Sequence, residues 1–307
     1  MKNVISLMGP TASGKTELAI SLNKEFDIEI VSVDSVMVYK KFNIGSAKPD
    51  NNILKIHPHR MINILEPWQK YSVAKFYEDL ISNIEDIHKR KKTPLLVGGS
   101  IMYFKTFFSG GLSDMREVPE EIKNKIQKML HENNLSYLYS FLKDVDKISA
   151  EKIHHNDKYR IIRLLEIYFS NDLQKPSSIM KQCAKNVQYF KNLNISIIPS
   201  DRALLHSKID ARFKNMMDKG LLDEISQIKK SHKGMDLPAM KTIGYRQGSE
   251  HLDGKIDLDS MKSMTLAATR QLAKRQITWL RHLDTSTVYT SLDYGNIRRR
   301  IASFLAK

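Results

Sequence analysis

The first sixteen residues constrain this chain more than any other segment: the run VISLM at 4–8 leads directly into GPTASGKT at 9–16. A Gly-x-x-x-x-Gly-Lys-Thr motif between a predicted strand and a predicted helix is a phosphate-binding loop. Gly9, Pro10, Thr11, Ala12, Ser13 and Gly14 form a cradle whose backbone N–H groups converge on anionic oxygens. Lys15 adds a point charge for the terminal phosphate, and Thr16 adds a hydroxyl for Mg²⁺. A helix starting near Thr16, with Leu18, Ala19 and Leu22 at helical spacing, brings the positive end of its dipole to the same place. The motif therefore predicts a grip on a polyphosphate and leaves open whether that is ATP, GTP or another.

The next hundred residues alternate strand and helix patterns. Apolar runs at 28–33 (IEIVSV), 61–65 (MINIL) and 94–97 (PLLV) read as strands. Between the last two, Val73, Phe76, Leu80, Ile84 and Ile87 mark a helix over 71–89 with Ser72 as its N-cap. This alternation predicts an α/β fold, a P-loop NTPase-like parallel sheet flanked by helices on both faces. Ligands of such sheets sit at the carboxyl ends of the strands, which is where Asp34, Ser35, Gly98, Gly99 and Ser100 fall. Helical patterns at 119–132, 135–142 and 156–169 then follow one another without a strand, which predicts an inserted all-helical domain. A run at 195–198 returns to the sheet, and only helices are expected afterwards, at 202–219, 221–230 and 258–283. The expected division is a core of 1–116 and 192–307 and an insertion of 117–191.

Composition narrows the partners. A net charge of +15 favours nucleic acid or an acidic membrane surface. A single cysteine, Cys183, excludes an intramolecular disulfide and a cysteine-based zinc site, and fits a reducing cytoplasm. No apolar run approaches the ~20 residues of a membrane helix, and the apolar start is too short for a secretory signal. His57 and His59 lack a third ligand at sensible spacing and read as loop histidines.

Three further segments carry chemistry. Asp34, in VSVDS, suits a general base, a ligand of a metal's water shell, or a turn cap. The strand at 94–97 ends in Gly98-Gly99-Ser100, where an ATPase usually places an acid. Two glycines there predict close approach by a ligand or another backbone, with the Ser100 hydroxyl beside it. The last third is basic: RQLAKRQITWLR at 270–281 has four cations and no acid. On a helix, Arg270, Lys274 and Arg281 fall within about 40° of one another, with Leu272, Trp279 and Leu283 opposite. A cationic stripe backed by a core face is the expectation, and a stripe of that kind matches a phosphate backbone. Lys241-Thr242-Ile243-Gly244-Tyr245-Arg246-Gln247 combines cations, a loop glycine, an aromatic able to stack and an amide able to read a base edge.

Taken together these segments resemble the tRNA dimethylallyltransferase (tRNA isopentenyltransferase) family, bacterial type. The matching stretches are GPTASGKT, SVDS, YKKFNIGSAKP at 39–49, LLVGGS at 95–100, IHHNDKYRIIRLLEIY at 153–168, ARFKNMMDKGLLDE at 211–224, IGYRQ at 243–247 and ATRQLAKRQITWLR at 268–281. The resemblance implies transfer of a dimethylallyl group from dimethylallyl diphosphate to the exocyclic amine of the adenosine just 3′ of the tRNA anticodon, releasing diphosphate. It implies Asp34 as general base and Ser100 as an orienting hydroxyl, where the family usually has Thr. It also implies that Lys15 and Arg212 stabilise the leaving diphosphate with Mg²⁺ near Thr16, to which Asp34 is a second candidate ligand. Segments matching tRNA contacts are Asp34, Ser35, Val36 and Met37; Lys123; Tyr159, Arg160, Ile161, Ile162 and Arg163; Lys241, Thr242, Ile243, Gly244, Tyr245 and Arg246; and Arg270, Lys274, Arg275 and Arg281. The insertion matches the family's clamp on the anticodon stem. A cytoplasmic monomer with no membrane partner is expected. A small-molecule kinase, a non-enzymatic RNA-binding module and transfer onto free adenine nucleotides are the competing readings.

Overall fold

The computed structural model describes residues 2–111, 118–183, 190–283, 286–290 and 293–306. The expected domain junctions at 116/117 and 191/192 fall at or beside stretches outside this set. The chain divides into two compact units, one of Met1–Lys105 with Tyr189–Lys307 and one of Thr106–Gln188.

The first unit opens with β1 (Lys2–Met8), α1 (Lys15–Glu25) and β2 (Ile28–Val33). It continues through α2 (Asn51–Ile56), β3 (His59–Arg60), α3 (Val73–Lys89), β4 (Thr93–Gly98) and α4 (Ile101–Phe108), the last of which runs past Lys105. α3 starts where expected: Ser72 caps it by accepting from the Lys75 N–H, and Phe76, Leu80, Ile84 and Ile87 are buried. The third strand is shorter and earlier than 61–65. Met61 and Asn63 take φ of 62° and 57°, which turns the chain away from the sheet, and Leu65 makes only an isolated bridge to Tyr39.

The second unit is helical: α5 (Glu120–Glu132), α6 (Leu135–Val145), α7 (Lys147–Ala150), α8 (Lys158–Ser170) and α9 (Pro176–Cys183). Ile126, Leu138, Leu142, Ile161, Leu164 and Leu165 form its core. Asp146 ties it together, accepting from the N–H and hydroxyl of both Ser149 and Ser177.

The first unit resumes with β5 (Phe190–Ile197), α10 (Arg202–Asp218), α11 (Leu221–Ser231), a 3₁₀ turn at Pro238–Lys241, α12 (Tyr245–Leu252) and α13 (Leu258–Arg281). It closes with β6 (Thr287–Tyr289) and α14 (Tyr294–Leu305). β6 corrects the expectation of helices alone: it pairs with β5 as an edge strand, and three residues are too few to show a pattern in sequence.

The six strands run in the order β3-β2-β4-β1-β5-β6, and every pairing is parallel. Ile5, Leu7, Ile28, Ile30, Leu95 and Val97 share one buried face with Leu18 and Leu22 of α1 and Ile297 and Ile301 of α14. Val4, Met8, Val31, Val33 and Leu96 alternate to the other face and are buried too. Burial on both faces is why these strands read as unbroken apolar runs. The strand order sets β1 beside β4, so that the phosphate loop after β1 and the glycine pair after β4 emerge side by side.

Candidate active site

A cavity of about 560 Å³ opens at the carboxyl ends of β1, β2 and β4, and all of its lining belongs to the sheet-bearing unit. Thr11, Lys15 and Thr16 of the phosphate loop line it, with Asp34, Ser35, Val36 and Met37 after β2 and Gly98 and Gly99 after β4. Arg212 comes from α10. Lys241, Thr242, Ile243, Gly244 and Arg246 come from the segment around the 3₁₀ turn, and Arg275 and Gln276 from α13. Asp34 is the one acid in this lining, against five cations: Lys15, Arg212, Lys241, Arg246 and Arg275.

Asp34 is held by one oxygen. Its Oδ1 accepts from the N–H groups of Val36 at 2.8 Å and Met37 at 3.0 Å. Its Oδ2 accepts no hydrogen bond from the described residues. The turn cap therefore does not exclude a base, because one oxygen makes the cap and the other accepts no bond from the described residues.

Lys15 bends back onto its own loop, donating to the Pro10 carbonyl at 2.5 Å and to Ser13 Oγ at 3.2 Å. Burial, and then the nearby Arg212 guanidinium, lower its pKa to about 7, against the opposing pull of Asp34 and Glu17. Burial likewise pulls Arg212 down, while Asp34 and Glu17 favour its charge; its Nη2 donates to the Ser46 carbonyl at 3.4 Å. Two cations crowded together and partly stripped of water form a site that binding of an anion relieves.

The 39–49 loop is locked into this wall. Glu224 accepts from the N–H groups of Asn43, Ile44 and Gly45, and from Tyr245 Oη at 2.7 Å. Lys48 donates to the Tyr39 carbonyl, Asn43 Oδ1 and Asn63 Oδ1, and burial brings its pKa down to about 8. Neither Glu224 nor Lys48 stands out as a site residue in the sequence, because each acts through partners far along the chain.

Several expected site residues are placed differently. Tyr245 is fully buried, its ring 4.7 Å from that of Phe42, so it cannot stack on a base. Gln247 is buried and its Oε1 accepts from the Gly244 N–H, closing the start of α12 rather than reading a base edge. Ile161 is fully buried in the core of the helical unit, and Ile162 packs against that core. In the same unit Tyr159 is 79% exposed, while Lys123, Arg160 and Arg163 pair with Glu120, Asp157 and Glu166 on the surface. Ser100 stands one residue beyond Gly99, outside the cavity lining, at the start of α4.

The glycine pair borders the cavity and is also closely approached by protein, at Gly98 by another backbone as one of the two expectations had it. A Cβ at Gly98 would lie 2.0 Å from the Val33 carbonyl oxygen, and one at Gly99 would lie 2.6 Å from Gln276 Nε2. α13 also differs from the expected two-faced stripe. Trp279 is 36% exposed, with Lys105 Nζ 5.2 Å above its ring, so it is not core. Arg270 is paired with Asp210 through Nη2 at 2.7 and 2.8 Å, whereas Lys274 and Arg281 are exposed to solvent and Arg275 is exposed where it lines the open cavity. The inward face is instead Thr265, Ala268, Thr269, Leu272, Arg275 and Gln276, spaced by one, three or four residues along the cavity wall.

For Mg²⁺, the hard-oxygen donors beside the loop are the Thr16 hydroxyl and the Asp34 carboxylate. Among the described residues no group of three or more His, Cys, Asp or Glu could hold a metal. One hydroxyl and one carboxylate suit an ion that keeps waters and is completed by substrate phosphates, so the residues fit. Among the described residues no helix is long and apolar enough to cross a membrane.

Fold and site together define a phosphate-loop α/β protein with a single carboxylate beside the loop. Residues 37–283 match the IPP transferase family, and the chain belongs to that family. It is 39% identical to a tRNA dimethylallyltransferase of Methylobacillus flagellatus, over 98% of this chain and 97% of that one. The full-length tRNA isopentenylpyrophosphate transferase of Bacillus halodurans has a similar structure, with a TM-score of 0.72, 27% identity and coverage of 100% of this chain and 96% of that chain. A eukaryotic dimethylallyltransferase captured acting on tRNA superimposes with a TM-score of 0.83 at 27% identity, over 96% of this chain and 75% of that one.

Proposed function

We propose that this protein is a tRNA prenyltransferase that moves the dimethylallyl group of dimethylallyl diphosphate onto the exocyclic amine of the adenosine 3′-adjacent to the anticodon, releasing diphosphate. The observation that carries the reading is the lone carboxylate, fixed by Oδ1 with Oδ2 free, among five cations next to a phosphate loop. A phosphate-hydrolysing enzyme usually places a second acid for metal and water, and this lining has none. A leaving diphosphate needs cations and N–H donors, which it has.

The target base leaves its stack to enter the cavity. As the amine nitrogen bonds to the allylic carbon, the carbon–oxygen bond to diphosphate breaks and its electron pair leaves on oxygen. Asp34 Oδ2 takes the amine proton, which an aryl amine must lose to act as a nucleophile. The loop N–H groups, Lys15 and Arg212 hold the growing charge on the diphosphate. The Thr16 hydroxyl, with the Asp34 carboxylate beside it, would hold Mg²⁺, which when bound would neutralise more of that charge. Val36, Met37, Lys241, Ile243, Arg246 and Arg275 form the acceptor side. The helical unit takes the anticodon stem through Lys123, Tyr159, Arg160 and Arg163. The protein acts as a monomer in the cytoplasm, where its tRNA substrate is.

Incubation with tRNA, dimethylallyl diphosphate and Mg²⁺, followed by nucleoside mass spectrometry, is expected to yield prenylated adenosine. Thermal stabilisation by ATP–Mg²⁺ alone, with no prenylated nucleoside, would make the protein a kinase and reject the reading.

A further inference from the structure

Gln276 joins three segments that are far apart in sequence. Its Oε1 accepts from the Thr11 N–H at 3.0 Å, in the phosphate loop 265 residues away. Its Nε2 donates to the Gly99 carbonyl at 2.8 Å, at the end of β4 and 177 residues away. A Cβ at Gly99 would sit 2.6 Å from that Nε2 and 3.2 Å from the Gly9 carbonyl oxygen, so glycine there leaves the room the amide occupies. The bridge needs a planar group with a donor at one end and an acceptor at the other: glutamate lacks the donor and lysine the acceptor.

These bonds are not what keeps α13 in place. Ala273 and Ile277 pack with Leu205 and Ile209 of α10, Arg270 pairs with Asp210, and Lys105 lies over Trp279. With those anchors intact, the Gln276 amide has another consequence: it ties the position of the phosphate loop to that of α13. The same helix presents Lys274 and Arg281 to solvent and Arg275 to the cavity.

We propose that Gln276 is a positioning residue that couples RNA binding on α13 to diphosphate binding in the loop. The inference rests on the reading of α13 as part of the tRNA surface. RNA phosphates held by Lys274 and Arg281 restrict the residual motion of the anchored helix, Gln276 passes that constraint to Thr11 and Gly99, and the donor then loses less freedom on binding. Coupling of this kind is reciprocal: each ligand tightens the other by the same factor.

The test measures the affinity of the full-length protein for dimethylallyl thiolodiphosphate–Mg²⁺, a slowly reacting donor analogue, with and without a saturating anticodon stem-loop RNA. In the native protein RNA is expected to tighten the analogue about fivefold or more. In Gln276→Ala and Gln276→Glu the ratio falls below about twofold, while RNA affinity without the analogue stays within about twofold of native. Thr278→Ala, on the exposed side of the same helix, keeps the native ratio. Retention of the ratio in both Gln276 variants, or its absence in the native protein, overturns the proposal. Loss of a folded melting transition in both Gln276 variants also overturns it, by making the bridge a structural one. If the native protein binds neither analogue nor RNA, the prenyltransferase reading itself fails and this inference falls with it.

Discussion

The two walls of the cavity are built in opposite ways. The wall proposed for the donor is mainly one contiguous stretch, residues 9–16, with Arg212 beside it, and its lysine satisfies its ammonium on its own loop. The wall proposed for the acceptor is assembled from residues 36–37, the segment around 241–246, and α13. It is tied down by side chains reaching across long separations: Glu224 to the 43–45 backbone, Tyr245 to Glu224, Gln276 to Thr11 and Gly99. The loop wall has one such tie, Gln276 to Thr11, whereas the assembled wall depends on several.

Asp34 lies where the walls meet and carries the largest expected effect. Asp34→Asn keeps an oxygen for the Val36 and Met37 N–H groups but cannot take a proton. Turnover should fall about 10³-fold with melting temperature and analogue affinity near native, as read by single-turnover kinetics and calorimetry. Asp34→Ala should lose the turn as well, so a fall in stability with Ala but not Asn separates the two uses of the residue.

Lys15 tests the donor wall. Lys15→Met should weaken donor binding by about 2 kcal/mol, roughly 30-fold. The same variant should raise the melting temperature of the ligand-free protein by about 2–4 °C, because it removes a crowded, poorly solvated cation. In the free protein Lys15 titrates at about 7, and a bound diphosphate favours its charged form. Donor binding should therefore take up little proton through Lys15 well below pH 7 and approach one proton between pH 7 and the raised pKa of Lys15 in the complex. Affinity then declines as pH rises through 7. Calorimetry in buffers of different ionisation enthalpy reads this uptake, and its Lys15 component should vanish in Lys15→Met.

Glu224 tests the acceptor wall. Glu224→Ala strands three backbone N–H groups and the Tyr245 hydroxyl, at an expected cost of about 2–3 kcal/mol in chemical denaturation. Tyr245→Phe, which removes one of those bonds, should cost about 1 kcal/mol. Equal losses would mean that the loop contacts contribute nothing. Smaller still, Lys274→Ala should weaken tRNA binding about threefold and reduce the salt dependence by about one phosphate contact. Ser100→Ala should cost less than about threefold in turnover, since Ser100 lies outside the cavity lining. A larger loss would return it to the site.

The same contrast governs what could be read from sequence. The phosphate loop, Asp34 and the central strands were legible because each signal is local: a fixed spacing, a strand end, an apolar run buried on both faces. The third strand was misplaced because positive φ at Met61 and Asn63 turns an apolar stretch into a bend. α13 misled because it has two inward faces, one on α10 through Ala273 and Ile277 and one on the cavity through Leu272 and Gln276. No single apolar stripe describes such a helix. Tyr245 looked like a stacking residue because its partners, Phe42 and Glu224, lie about two hundred and about twenty residues away.

The closing helix has a consequence for how the protein is made. β1 pairs with β5, more than 180 residues later, and its buried face is finished by Ile297 and Ile301 of α14. During synthesis the strand that carries the phosphate loop lacks a neighbour on one side until β5 arrives. α1 covers part of its apolar face at once, but the part that Ile297 and Ile301 cover stays open until α14 is made. The growing chain therefore presents an unpaired strand edge and a partly covered core face, the state in which nascent chains depend on chaperones. Removing α14 should accordingly cost solubility before it costs catalysis, although the helix ends far along the chain from every residue that touches the donor.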